Sequence, residues 1–118
     1  MTTSVPTLDA IIEQAERLEA VRKEDLRSGD WLLVTTKNSL YSIFVMDEQW
    51  YSVSGGWFDR EGVSPHKTTI HGCTWGGSAI KHDIVAACGL FLEFGNWVIT
   101  TRIQKIRVIR REASEAVC

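Results

Sequence analysis

Five residues with ligand or nucleophile chemistry crowd one stretch of this 118-residue chain: His66, His71, Cys73, His82 and Cys88. Imidazole nitrogen and thiolate sulfur are the groups zinc takes in tetrahedral sites. The same residue types also suit covalent catalysis, in which a nearby histidine activates a cysteine and a carboxylate orients that histidine. If residues 67–73 run extended, His71 and Cys73 point to the same face, as paired ligands or a base and its nucleophile must. Asp59 and Asp83 are the carboxylates at hand. The spacing matches no zinc-finger, knuckle or metzincin pattern. A simpler reading makes Cys73 and Cys88 small buried hydrophobes and the histidines surface groups. A small enzyme or metal protein on His66, His71, Cys73 and His82 is therefore the alternative, and no cofactor is implied.

A second cluster is basic. Arg102, Lys105, Arg107, Arg110 and Arg111 follow one another with no acid until Glu112. Such a run can track phosphates. It can equally be a solvated face that blunts an edge strand, and the residues between (Ile103, Ile106, Val108, Ile109) are aliphatic rather than stacking aromatics. Ser54-Gly55-Gly56 and Trp75-Gly76-Gly77-Ser78 are glycine-rich, but neither is a phosphate loop or a nucleophile elbow. Trp57, Phe58 and Trp75 flank them. These rings suit stacking on a ligand or, more simply, plugging the end of a barrel.

The elements that would position these groups follow from periodicity. Leu8, Ile11, Ile12, Ala15, Leu18 and Val21 lie on one stripe of a helix, with Thr7 as N-cap, which predicts a helix over residues 8–23. Ser28-Gly29-Asp30 ends it. Trp31–Thr36, Leu40–Met46 and Trp50–Ser54 read as a three-strand antiparallel meander with short turns. Residues 54–88 read as an irregular insertion, with a short strand near Lys67–His71 and an ambiguous stretch at Ala79–Ala87. Leu90–Phe94 and Trp97–Thr101 form a hairpin about Gly95-Asn96. A tight turn at 101–104 leads to a last strand, Lys105–Ile109, and residues 110–118 read as a frayed tail. The expected core is Trp31, Leu33, Ile43, Val45, Leu92, Ile99, Ile106 and Val108.

This order predicts one mainly β domain with an N-terminal helix, an α+β antiparallel barrel or roll. Over Leu8–Met46 and Leu90–Ile109 the element order resembles the Sm-like and SH3-like small barrels, though the RNA-binding motifs of Sm proteins are not recognisable. The stretches Tyr51-Ser52-Val53-Ser54-Gly55-Gly56-Trp57-Phe58-Asp59-Arg60 and Gly72-Cys73-Thr74-Trp75-Gly76-Gly77-Ser78 look like those of uncharacterised bacterial proteins. That resemblance carries no known activity and transfers none.

Bulk composition narrows the classes. The formal charge of -2 gives no global basic field, so nucleic-acid binding needs a local patch. No apolar run reaches the ~20 residues of a membrane helix, and Met1–Leu8 lacks the regions of a secretory signal. Cys73, Cys88 and Cys118 are an odd set with wide spacing, which is no disulfide framework and points to a reducing cytoplasm. The reading that results is a binding or assembly module rather than an enzyme, with a second copy of the chain or nucleic acid as partner and no membrane. Arg102, Lys105, Arg107, Arg110, Arg111, Trp57 and Trp75 are its candidate contacts.

Overall fold

The structure is a computed structural model, and it describes residues 16–76 and 79–111. Strand periodicity governs most of them. β1 (Glu16–Leu18), β2 (Ala20–Arg22), β3 (Trp31–Thr36), β4 (Leu40–Val45) and β5 (Tyr51–Gly55) lead into a short helix, α1 (Gly56–Arg60). β6 (His66–Thr68), β7 (Ile70–Thr74), β8 (Ile80–Lys81), β9 (Ile84–Ala87), β10 (Phe91–Phe94) and β11 (Ile103–Ile109) follow. They form a six-stranded sheet ordered β1-β11-β3-β4-β5-β6, a three-stranded sheet β10-β7-β8 and a two-stranded ribbon β2-β9. Each of these pairings is antiparallel. The outer strands of the large sheet, β1 and β6, do not pair with each other, so that sheet is open. Among the described residues no helix is long and apolar enough to cross a membrane.

The meander β3-β4-β5 stands where turn chemistry placed it. The faces of β3 do not. Trp31-Leu32-Leu33-Val34 is apolar throughout, so the run itself carries no alternation. Its neighbours decide. Leu32 lies opposite Ile43 and Val108, and Val34 opposite Tyr41 and Ile106. Residues directly opposite share a face, so Leu32 and Val34 go inward with those alternating partners. Trp31 and Leu33 turn outward, against the expected core, and Trp31 packs on Phe44 at 4.9 Å between ring centroids. Ile43, Val45, Leu92, Ile106 and Val108 are buried as expected. Ile99 is not: it lies opposite Glu93 on an outer face and is 53% exposed.

The predicted helix is corrected over residues 16–23. Residues 8–15 lie outside the described residues. From Glu16 on, the chain is β1 against β11 and β2 against β9, and Lys23 opens a 3-10 turn. Val21, expected on the helical stripe, is fully buried between exposed neighbours in β2. Tertiary pairing has overridden a helical pattern here; a propensity of tenths of a kcal/mol per residue is easily outweighed by sheet pairing and burial. Residues 54–88 are no irregular insertion, since they hold α1 and β6–β9. Phe58 of α1 fills the core, edge-on to Phe94 at 5.0 Å.

The end of β11 is stapled to the turn before β3. Asp30 is 1% exposed and accepts hydrogen bonds from the Arg27 and Arg111 backbone N–H groups, each at 2.9 Å. The Arg110 guanidinium lies 3.3 Å from the same carboxylate and donates to the Asp25 carbonyl at 2.7 Å. The expected frayed tail is therefore anchored through Arg111; residues 112–118 lie outside the described residues.

Candidate functional site

β7 and β10 build the site through one irregularity. Glu93 pairs with Gly72, but Phe94 pairs with Ile70, so His71 is an extra residue, a β-bulge. Ile70 and Cys73 are three apart in sequence yet lie opposite Phe94 and Leu92, two apart on β10, which requires that insertion. Gly72 permits it: its φ is +146°, and a Cβ there would sit 2.1 Å from the Lys81 carbonyl oxygen. The expectation that His71 and Cys73 share a face is thus corrected. The bulge sends Cys73 into the core and His71 to the outer face.

On that outer face His71 Nδ1–H donates to Glu93 Oε2 at 2.7 Å, and the two side chains are 29% and 17% exposed. Phe91 and Glu93 alternate with buried Leu92 and Phe94, so both point outward. The Arg102 guanidinium lies 5.1 Å from the Phe91 ring centre and donates to the Gly89 carbonyl at 2.8 Å. The Trp97 ring stands at 69° to the His71 imidazole, 4.8 Å between centroids.

Trp97 is held by the loop after β10. Trp97 N–H donates to Phe94 O at 3.0 Å and Phe94 N–H to Val98 O at 2.9 Å, closing a three-residue loop rather than the expected two-residue turn. In such loops the third residue takes a left-handed conformation that glycine fills most easily. Here it is Trp97, at φ +71°, with its indole 75% exposed. The strand expected at Trp97–Thr101 shrinks to a bridge between Ile99 and Glu93.

The chemistry is that of a carboxylate–imidazole pair beside a ring. Glu93 accepts from the His71 Nδ1–H, which leaves Nε2 as the second hydrogen-bonding position of the imidazole. A carboxylate-oriented imidazole also suits a general base, but the cysteine it was to serve is out of reach. Cys73 is fully buried and its thiol donates to the Val85 carbonyl at 3.4 Å. Burial pushes that thiol up to about 12, so it stays protonated at neutral pH. Asp59 and Asp83 do not orient His71. Asp59 accepts from the Gly55 N–H, and its carboxyl is held low by the Ser64 hydroxyl and then that N–H.

The remaining candidates scatter. His66 stacks on Phe58, and His82 Nδ1–H donates to the His71 carbonyl at 3.1 Å. Among the described residues no three His, Cys, Asp or Glu side chains gather as metal ligands. Cys73 is a free thiol, and Cys88 Sγ lies 3.6 Å from the Gln104 carbonyl. Lys105 and Arg107 point outward from β11 between Ile106 and Val108, whereas Arg110 turns to Asp30 and Arg102 to Phe91. Trp57 is half-buried, edge-on to Phe58 at 5.3 Å and packed against the core, while Trp75 is 54% exposed with Lys81 Nζ 5.6 Å from its ring centre. A separate open groove of about 510 Å³ has Phe44 and Trp50 in its lining, with Lys67 over Trp50. Sequence reasoning missed Glu93 and Trp97. The legible signal for Trp97 was a bulky ring directly after Gly95-Asn96, where turn chemistry favours a third small residue. No family model, curated protein or solved structure matches the chain, so the reading of this face rests on its own geometry.

Proposed function

We propose that this chain is a small binding module on an antiparallel roll of the small-barrel kind, with its ligand held on the outer face of β10 and β7. The observation that carries the reading is Trp97. An exposed tryptophan adds little to folding, and a left-handed backbone costs a non-glycine residue about 1–2 kcal/mol. Among the described residues Glu48 and Gln49 share that left-handed backbone, but Trp97 alone of the three presents a large ring to solvent, which points to a use outside the fold. The His71–Glu93 pair beside it supplies directional polar contacts, and half-buried Phe91 extends the apolar surface. The enzyme and metal alternative is weakened by the burial of Cys73 and the separate engagements of His66, His71 and His82.

Three measurements on the wild type and Trp97→Gly test this. They are sedimentation across micromolar concentrations, polarisation of labelled single-stranded oligonucleotides at low salt, and binding to an array of defined glycans. The reading expects at least one association that Trp97→Gly abolishes while the fold persists. A monomeric wild type that binds neither probe, or an association indifferent to Trp97, would refute it. Loss of self-association would identify a second copy as the partner. Loss of a steeply salt-dependent oligonucleotide signal would identify nucleic acid.

A further inference from the structure

Resting on that binding reading, we propose that the ligand of this face is a neutral sugar ring, stacked on the Trp97 indole with its hydroxyl groups hydrogen-bonded to Glu93 and His71. A pyranose has a face of C–H groups and a rim of hydroxyls. It therefore needs a flat apolar platform with hydrogen-bonding groups at the edge. The Trp97 indole, 75% exposed, is such a platform. The groups beside it are an imidazole and the carboxylate that holds it, both hydrogen-bonding partners for hydroxyl groups. An ionised Glu93 only accepts, and with Oε2 on the His71 Nδ1–H it retains lone pairs for further donors. With Nδ1 engaged by Glu93, His71 has Nε2 left for a hydroxyl, which can donate or accept. Ile99, 53% exposed and opposite Glu93, widens the apolar ledge.

The same features disfavour a nucleic-acid strand. Channels for single strands pair stacking rings with a positive groove. Here a carboxylate stands beside the ring, and it repels phosphate. The cation set against β10, Arg102, lies over Phe91 and donates to the Gly89 carbonyl. An open platform of this kind binds a single sugar weakly, with a Kd of about 1 mM, given the affinity small ligands reach per atom.

The experiment is a titration of the 15N-labelled full chain, followed by amide and indole NMR shifts. The probes are glucose, galactose, mannose, xylose and N-acetylglucosamine, then their disaccharides, with a mixed single-stranded oligonucleotide as a separate arm. At least one sugar should shift the Trp97 indole N–H together with the His71 and Glu93 amides. Trp97→Gly should weaken that binding at least tenfold. Glu93→Gln, which replaces one acceptor oxygen by a donor, should weaken it several-fold with an unchanged amide spectrum elsewhere. If no sugar shifts these signals, the sugar assignment falls. If the oligonucleotide then shifts them, or the protein self-associates through Trp97, the binding-module reading survives with another ligand. If nothing engages the face, both fall.

Discussion

Replacing Trp97 by glycine and by alanine should reverse the usual order of stability. At an ordinary backbone position glycine is about 0.5–1 kcal/mol worse than alanine, because it loses more freedom on folding. Trp97 sits at φ +71°, where alanine retains a strain of about 1–2 kcal/mol and glycine has none. Both variants lose the small buried part of the indole. With 75% of the residue exposed, the buried quarter of a ring of roughly 150–250 Å² corresponds to about 1 kcal/mol. Trp97→Ala should therefore lie about 1 kcal/mol below the wild type. Trp97→Gly should lie above Trp97→Ala by about 0.5–1 kcal/mol, or roughly 2–4 °C in Tm for a domain of this size. Urea unfolding of the three proteins, with a common slope, measures the difference. An alanine variant as stable as the glycine variant, or more so, would refute the strain at Trp97 and remove the main support for a functional indole.

Further outcomes follow from other contacts. Asp30→Ala leaves the Arg27 and Arg111 N–H groups and the Arg110 guanidinium without their carboxylate, and should cost about 3–5 kcal/mol in urea unfolding; a loss below 1 kcal/mol would show that the staple is dispensable. Gly72→Ala should disrupt β7–β8 pairing and raise amide exchange at Lys81 and His82, because its Cβ meets the Lys81 carbonyl at 2.1 Å; unchanged exchange would rule out the bulge. The Cys73 thiol, up at about 12 in the fold against 9.0 ordinarily, favours the folded state below pH 9 and loses that contribution as pH rises toward 12. The wild type should accordingly lose more stability than Cys73→Ala between pH 9 and 11, and parallel pH profiles would contradict the burial. Leu92→Ala and Ile106→Ala, both at 0% exposure, should each cost about 2–5 kcal/mol, and unfolding at the wild-type midpoint would overturn the assigned inner faces.

Some of this protein is written locally in its residues. Lys37-Asn38-Ser39 marks a turn by its own backbone preferences, and the β3-β4 hairpin follows; the polar run Asp47-Glu48-Gln49 marks the next turn, though Glu48 and Gln49 take left-handed φ of +57° and +63° there. Lys105 and Arg107 alternate with Ile106 and Val108, so the inner face of β11 is legible without any partner. The wide spacing of the cysteines also speaks against a disulfide framework, and the Cys73 thiol is free.

What stayed illegible depends on residues far along the chain. Val21 fits a helical stripe as well as the inner face of a strand, and only pairing of β2 with β9 decides between them. The apolar run at Trp31 has no preferred face until Ile43, Tyr41, Ile106 and Val108 stand opposite its alternate positions. His71 and Cys73 have the spacing of residues on one face, yet a single bulge against β10 parts them and brings Glu93, far away in sequence, to the imidazole. Sequence by itself determined where the turns of the β3-β4-β5 meander fall, the mainly β class and the alternation of β11, because those preferences act within a few residues. The tertiary structure alone decided strand faces, the bulge and the Trp97–His71–Glu93 face, because cross-strand packing sets them and a shift of one residue sends a side chain to the opposite face.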